Sequence, residues 1–171
     1  AERLMHLYYV RTGFLASAYV NQVGVPATHV LPANLARPLC QVAQALDRPP
    51  ILSYAGYALY NWHRLDPEGP IELGNIDTFQ NFVTLYDEHW FILVHVDIEA
   101  RGAGILSAVL NLAEQDGWRD RKAVDAAITR IADTLVAQID VLRRIPECMS
   151  AELYHSTFRP YIQHFDDVAY E

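Results

Sequence analysis

The stretch "DEHWFILVHVDIEARGAG" (87–104) places a histidine in a strongly apolar segment, with Asp97 two residues and Glu99 four residues after it. His95 and Glu99 stand at i and i+4, so they share one face of a helix, and that spacing can bind a metal ion. A carboxylate-bridged di-metal bundle requires two Glu-x-x-His motifs and two further glutamates on facing helices. Here the order is histidine then glutamate, with no second copy. An ion pair or a buried, hydrogen-bonded histidine is therefore favoured over a metal site.

An arginine near the end of the chain raises a second chemical possibility. Arg159 lies in "ELYHSTFRPY" (152–161), close to Tyr154 and His155. Because a guanidinium stays charged, an arginine on an apolar helix requires an anionic partner. That partner is ordinarily an aspartate or glutamate, and the alternative is the carboxylate of a bound substrate, gripped by two parallel hydrogen bonds. From the residues alone, the internal ion pair is the more frequent outcome.

Helical periodicity runs through most of the chain and predicts a single all-α segment over residues 1–171. The length of 171 residues fits one domain. Asn34 is predicted as the N-cap of the second helix and Ser53 as the cap of the third. Residues 66–76 are predicted as a loop by their Pro and Gly content, and 77–86 show no clear pattern. Pro146 should end the fifth helix and Pro160 the last. The predicted helices are 2–21, 34–46, 54–65, 87–114, 121–144 and 149–158.

Two apolar stripes follow from this periodicity. The aromatic run Tyr54, Tyr57, Tyr60 and Trp62 has roughly helical spacing, and such a stripe more often packs a core than lines a pocket. The helix at 121–144 has the clearest amphipathic pattern. Its predicted packing face consists of Val124, Ala127, Ile128, Ile131, Leu135, Ile139 and Leu142.

Composition excludes several classes of function. The 171 residues carry a net charge of −8, and a nucleic-acid or anionic-membrane surface would need a basic patch instead.

The two cysteines, Cys40 and Cys148, form no paired spacing, which predicts reduced thiols and a cytoplasmic location. No apolar run reaches the roughly 18 to 20 residues of a membrane span. The opening "AERLMHLYYV" has the pattern of a helix interior, so we expect a piece of a larger protein.

One long block resembles a known family. Residues 30–62, "VLPANLARPLCQVAQALDRPPILSYAGYALYNW", resemble the "LPxNxAxPxC…LxxPPILxYA…LxNW" block of the indoleamine 2,3-dioxygenase family, and "DPEGP" follows as the family's DP…P loop does. Weaker matches continue in the family's order: "FILVHVDIEA" (91–100), "AELYHSTFRPY" (151–161) and "VAYE" (168–171). The family belongs to a haem-dependent dioxygenase superfamily with an all-α catalytic domain. The resemblance implies haem b as cofactor, O2 as co-substrate and a small indole as substrate.

The resemblance also implies roles for individual residues. His95 falls where tryptophan dioxygenases have a histidine near the indole N–H, so it is the candidate catalytic residue. Arg159 falls on the arginine that grips the substrate carboxylate. The remaining candidate substrate-binding residues are Tyr54, Tyr57, Ala58, Phe91, Ile92 and Tyr154. Glu99 matches a family glutamate of structural character.

Departures from the family pattern leave the exact substrate open. Tyr57 stands where indoleamine dioxygenases often have a much smaller cysteine, and His95 replaces their usual serine. The family's proximal histidine lies downstream of "VAYE", and its small N-terminal domain lies upstream, so we expect another segment or a second chain to supply the iron's axial ligand. The leading interpretation is a dioxygenase that opens the indole ring of L-tryptophan or a related indole. The alternatives are another tryptophan-derived transformation, as in pyrrolnitrin biosynthesis, and a non-catalytic helical binding domain.

Overall fold

Helices make up most of the chain, and the computed structural model describes residues 2–26, 28–114 and 117–171. The all-α class predicted from the sequence is confirmed. Within the described residues, no helix is both long and apolar enough to cross a bilayer. The α-helices are α1 (Glu2–Val20), α2 (Ala33–Ala45), α3 (Tyr86–Glu114), α4 (Arg121–Leu142), α5 (Ile145–Cys148) and α6 (Ala151–Leu153). Single π-helical turns form at Ala55–Leu59 and Tyr154–Phe158, and 3₁₀ turns at Gly117–Arg119 and Arg159–Ile162.

Two small two-stranded sheets accompany the helices. Strand β1 (Val30–Leu31) pairs in parallel with β4 (Ala169–Tyr170), which ties the last described residues to the segment before α2. Strand β2 (Trp62–Arg64) pairs antiparallel with β3 (Ile76–Thr78). The second pairing corrects the predicted helix at 54–65, because the helical winding ends near Leu59 and the backbone then becomes extended. The paired residues are between 12 (Arg64 with Ile76) and 16 (Trp62 with Thr78) positions apart in sequence, and their pairing is the reason for the extended backbone.

The start of α2 also differs from the prediction. Asn34 is not the N-cap, because the helix begins at Ala33 and Pro32 occupies the cap position with an extended backbone. The carbonyl of Pro32 accepts hydrogen bonds from the N–H groups of Leu35 and Ala36, both at 2.9 Å. Ser53 does cap the next turn as predicted, since its Oγ accepts from the N–H of Gly56 at 3.1 Å.

Helices α3 and α4 form an antiparallel pair whose seam is set by glycines. A methyl group placed on Gly104 would lie 2.7 Å from Thr134 Oγ1, and one on Gly102 would lie 3.0 Å from Gln138 Nε2. The two glycines therefore let the helices approach closely. Gln138 Nε2 also donates to the carbonyl of Ile98 at 2.9 Å, which satisfies the amide inside the seam.

The packed face of α4 is rotated from the face predicted by apolar periodicity. Only the first part of the predicted face packs on α3, where Ala127 is buried and Val124 and Ile131 are partly buried. Val141, outside the prediction, is buried against Trp90 and Val94. The polar Thr134 and Gln138 occupy the seam because they face glycines, and periodicity of apolar residues does not detect them. The rest of the predicted face is half exposed: Ile128, Leu135, Ile139 and Leu142.

The core that supports the site lies between α1, the π-helical turn at Ala55–Leu59 and α3. Val10 and Phe14 from α1 pack with Tyr57 and with Ile92, which is fully buried on α3. A neighbouring cluster joins α1 to α2. Both cysteines are free. These contacts form a packed wall of three elements, and the candidate site residues lie against it.

Candidate functional site

A cavity of about 200 Å³ opens between the π-helical turn and α3. This is smaller than the roughly 300–1,000 Å³ of pockets that take drug-sized ligands, so it suits one small ring system. The cavity brings together five residues that the sequence placed in a site: Tyr54, Tyr57, Ala58, Phe91 and His95. Three further lining residues, Leu52, Ser53 and Ile162, were not predicted. Ser53 was identified only as a helix cap, and no residue-type signal distinguished the two aliphatic side chains.

His95 presents one ring nitrogen for a ligand. Its Nδ1 lies 2.6 Å from the carbonyl oxygen of Phe91, one turn earlier on α3. A carbonyl only accepts hydrogen bonds, so Nδ1 carries the proton, and in the neutral imidazole Nε2 keeps its lone pair. Aromatic rings surround the imidazole, with Phe91 at 4.4 Å and Tyr54 at 6.0 Å between ring centroids. His95 is therefore an oriented hydrogen-bond acceptor on the wall of an aromatic cavity.

The carboxylates that follow His95 have other partners. Glu99 accepts a hydrogen bond from the Tyr54 hydroxyl at 3.1 Å. Burial, together with this carboxylate, raises the pKa of Tyr54, so its hydroxyl stays protonated at neutral pH. Asp97 is buried on another face of α3, where it pairs with Arg101 Nε at 2.6 Å and accepts from the N–H of Leu73. Among the described residues, no three His, Cys, Asp or Glu side chains gather as metal ligands do.

Tyr57 and Glu88 form a buried polar pair beside the cavity. The Tyr57 hydroxyl donates to Glu88 Oε1 at 3.2 Å, and Glu88 is fully buried. Glu88 also accepts from the backbone N–H groups of Phe82 at 3.0 Å and Val83 at 2.8 Å. Burial raises the pKa of the Glu88 carboxyl, while these donors act in the opposite direction. Burial and the nearby carboxylate also raise the pKa of Tyr57, so the tyrosine is the donor of the pair.

Two π-helical turns lie at or beside the cavity. The first holds Tyr57 and Ala58, and the second holds Tyr154 and Phe158. The ring centroid of Phe91 lies 5.3 Å from that of Tyr154 and 5.8 Å from that of Phe158, within the range of favourable aromatic contact. Such turns are rare and occur frequently at functional sites. Tyr154 thus adjoins the cavity through Phe91 without being one of its lining residues.

Arg159 begins the 3₁₀ turn that follows and is partly exposed. Within residues 2–26, 28–114 and 117–171, it has no carboxylate partner. Its segment is fixed to α1, since Ser17 Oγ donates to the carbonyl of Tyr161 and Asn21 Nδ2 donates to that of Gln163 at 3.1 Å. These two buried residues, Ser17 in α1 and Asn21 directly after it, were not predicted. The internal ion pair, the more frequent outcome for an arginine of this kind, is thus absent from the described part of the chain.

The structure does not place every candidate in the cavity wall. Ile92 is fully buried in the apolar cluster behind Phe91 and does not line the cavity. Arg159 and Tyr154 lie outside the lining residues. The roles of all eight candidates toward a ligand stay predictions.

These features define an all-α chain with a small, partly aromatic cavity, an oriented imidazole and an arginine that has no carboxylate partner among the described residues. Residues 1–169 match the sequence model of the family Indoleamine 2,3-dioxygenase, and the chain belongs to that family. It is 30% identical over 161 residues to indoleamine 2,3-dioxygenase 1 of Rattus norvegicus, covering 94% of this chain and 40% of the rat protein. The family membership predicted from residues 30–62 is confirmed.

Other indoleamine 2,3-dioxygenases are similar to this chain at about the same level of identity. Indoleamine 2,3-dioxygenase 2 of Homo sapiens is 28% identical over 167 residues, which are 97% of this chain and 40% of the human protein. Indoleamine 2,3-dioxygenase of Saccharomyces cerevisiae is 30% identical over 157 residues, 88% of this chain and 34% of the yeast protein. The chain therefore spans between 34% and 40% of the length of these relatives.

Proposed function

We propose that this chain forms the substrate-binding part of a haem-dependent dioxygenase that opens the indole ring of L-tryptophan or a related indole. The observation that carries the proposal is the cavity, which gathers Tyr54, Tyr57, Ala58, Phe91 and His95 from two separate segments. Membership of the indoleamine 2,3-dioxygenase family supports an oxidoreductase of this class. The tryptophan-like substrate rests on the chemistry of the cavity and its surroundings.

The binding residues suit the three chemical features of tryptophan. Nε2 of His95 is an acceptor for the indole N–H, because Nδ1 is already bonded to the Phe91 carbonyl. The ring of Phe91, which packs on Tyr154 behind it, provides aromatic contact for the indole. Arg159, which has no carboxylate partner in the described chain, binds the substrate carboxylate. Together these contacts hold the ring in one orientation and lower the entropy cost of reaching the reactive geometry.

Haem fits the character of this wall. The lining is mainly apolar and aromatic, and its imidazole has one nitrogen committed to the helix backbone. A mainly apolar wall of this kind suits the substrate side of a haem, so Phe91, His95 and Ile162 are the residues that would contact that side. Haem b supplies the activation of O2, which amino-acid side chains do not perform. We propose that the axial histidine comes from sequence outside residues 1–171 or from a second chain.

The proposed function is tested by product analysis on the full-length protein loaded with haem. L-Tryptophan is supplied with isotopically labelled O2, and the product is identified by mass spectrometry. The expected result is the ring-opened N-formyl product with both labelled oxygen atoms. Haem-loaded protein that binds tryptophan but leaves it unchanged would refute the dioxygenase and favour a non-catalytic binding domain.

A second candidate is another transformation of a tryptophan-derived substrate on the same pocket. Tyr57 favours it, because this large side chain stands where indoleamine dioxygenases often have a cysteine. Supplying chlorotryptophan beside tryptophan in the same product analysis distinguishes the two. A product other than the N-formyl compound, formed from either substrate, would identify the second candidate.

A further inference from the structure

Tyr57 forms one side of the cavity, and several neighbouring residues fix its position. Tyr57 is only 5% exposed, and its ring lies 5.7 Å from Phe14 and 6.2 Å from Phe82, in stacked arrangements. Its hydroxyl donates to Glu88 Oε1. The tyrosine therefore has no room to swing away from a ligand without breaking aromatic contacts and a buried hydrogen bond.

Glu88 is the residue that makes this hydrogen bond costly to break. Its carboxylate is fully buried and is surrounded by three donors, the N–H groups of Phe82 and Val83 and the hydroxyl of Tyr57. Removing one donor would leave a buried acceptor with an unmet hydrogen bond, which is more unfavourable than losing an exposed one. Glu88 thus holds the tyrosine through a bond that water does not readily replace.

The same carboxylate organises the neighbouring segment. Phe82, whose N–H is bonded to Glu88, stacks on Tyr161 with centroids 4.8 Å apart and an angle of 8° between the rings. Tyr161 lies two residues after Arg159, on the 3₁₀ turn fixed to α1. Glu88 therefore connects, through direct contacts, the Tyr57 wall and the turn that carries the proposed carboxylate-binding arginine.

We propose that Glu88 is a positioning residue that fixes Tyr57 as a closed wall of the pocket, and that this wall selects tryptophan over derivatives substituted on the benzo ring. The inference rests on the proposed function. Arg159 lies outside the cavity lining, so a substrate held by its carboxylate enters the cavity ring first. With the indole N–H at His95, the benzo edge is the part of the ring left to meet Tyr57.

The experiment compares dissociation constants of the full-length protein for L-tryptophan and for its derivatives methylated at ring position 5, 6 or 7. One additional methylene in a tight apolar pocket changes selectivity by about 10- to 200-fold. The discrimination factor is the Kd for a derivative divided by the Kd for L-tryptophan. In the unmodified protein, this factor should lie in the same range for at least one derivative. Tyr57→Ala removes the wall and should bring that factor close to one.

Two milder variants test the positioning role of Glu88. Tyr57→Phe keeps the ring but removes the donor, and Glu88→Gln places an amide NH2 among three donors. Both should lower the discrimination factor by less than Tyr57→Ala does. The double variant should match Glu88→Gln alone, because both changes remove the same hydrogen bond. Tyr60→Phe, on the same segment but exposed, and Glu114→Gln, at the far end of α3, are matched controls that should leave the factor unchanged.

The possible failures are distinguishable. The inference would be overturned if the protein bound tryptophan and all the methylated derivatives with equal affinity, or if the discrimination factor were unchanged in Tyr57→Ala. Either result would leave the proposed function intact. A factor that changes in Tyr57→Ala but not in Tyr57→Phe or Glu88→Gln would overturn the role of Glu88. If Glu88→Gln does not fold, as judged by circular dichroism, Tyr57→Phe alone decides that role. A protein that binds no tryptophan would overturn the proposed function and this inference together.

Discussion

Replacing Arg159 with alanine should weaken tryptophan binding far more than tryptamine binding, because only tryptophan has a carboxylate. Losing one partner of a buried, charged hydrogen-bonded pair costs about 2–5 kcal/mol. Arg159 is partly exposed, so water replaces some of the lost contact and we expect the lower end, about 2 kcal/mol. At 1.4 kcal/mol for each factor of ten, this corresponds to about a 30-fold higher Kd for tryptophan. The Kd for tryptamine should change by less than about threefold, the range expected when a substituted residue does not contact the ligand.

The assay is a pair of equilibrium titrations, tryptophan and tryptamine, on the full-length protein and its variants. Arg159→Lys should recover only part of the affinity, since an ammonium does not reproduce the two parallel hydrogen bonds of a guanidinium. Arg143→Ala is the control, because this exposed arginine pairs with exposed Asp140 at the end of α4. Equal losses of both ligands in Arg159→Ala would refute the reasoning and give the arginine a structural role.

Three further changes test other parts of the account. His95→Ser should leave haem content unchanged and raise the tryptophan Kd by about 2- to 10-fold, the value of one neutral hydrogen bond, without affecting 1-methyltryptophan, which has no indole N–H; loss of haem would instead make His95 an axial ligand. Because burial raises the pKa of Glu88, folding stability should fall as pH rises from the ordinary glutamate value of 4.5 through the pKa of the folded state. Glu88→Gln should flatten this pH dependence in chemical denaturation, and an equally steep profile in the variant would assign the dependence to another group. Gly104→Leu should lower the free energy of unfolding by about 1–3 kcal/mol through overpacking against Thr134, and Thr134→Ala should partly restore it; no loss would mean that the α3–α4 seam is looser than described.

The main helices could be predicted because their signals are local. Helix α3 occupies Tyr86–Glu114 against a prediction of 87–114, and α4 occupies Arg121–Leu142 against 121–144. The sheets could not be predicted, since Trp62–Arg64 is a strand through its pairing with Ile76–Thr78, and the periodicity of a single segment does not show its pairing partner. The packed face of α4 was predicted with the wrong rotation because Thr134 and Gln138 pack against glycines rather than apolar side chains.

The candidate site was accessible to sequence reasoning mainly through the resemblance at residues 30–62. Residue types alone did not distinguish Tyr54 and Tyr57 from a core stripe, and Tyr57 is in fact both buried and part of the cavity wall. Glu88 gave no signal, because a glutamate at the start of a helix ordinarily faces solvent. Its burial depends on the turn at Phe82–Val83 folding back onto α3, which is a tertiary event.

The most direct test of the central claim is the position of L-tryptophan in an experimental structure of the full-length protein with haem and substrate. The account predicts the indole ring in the cavity between Tyr57 and Phe91, with its N–H about 3 Å from His95 Nε2, an ordinary hydrogen-bond distance. It also predicts the substrate carboxylate on the Arg159 guanidinium. A ring bound outside this cavity, or His95 Nε2 bonded to the iron, would contradict it.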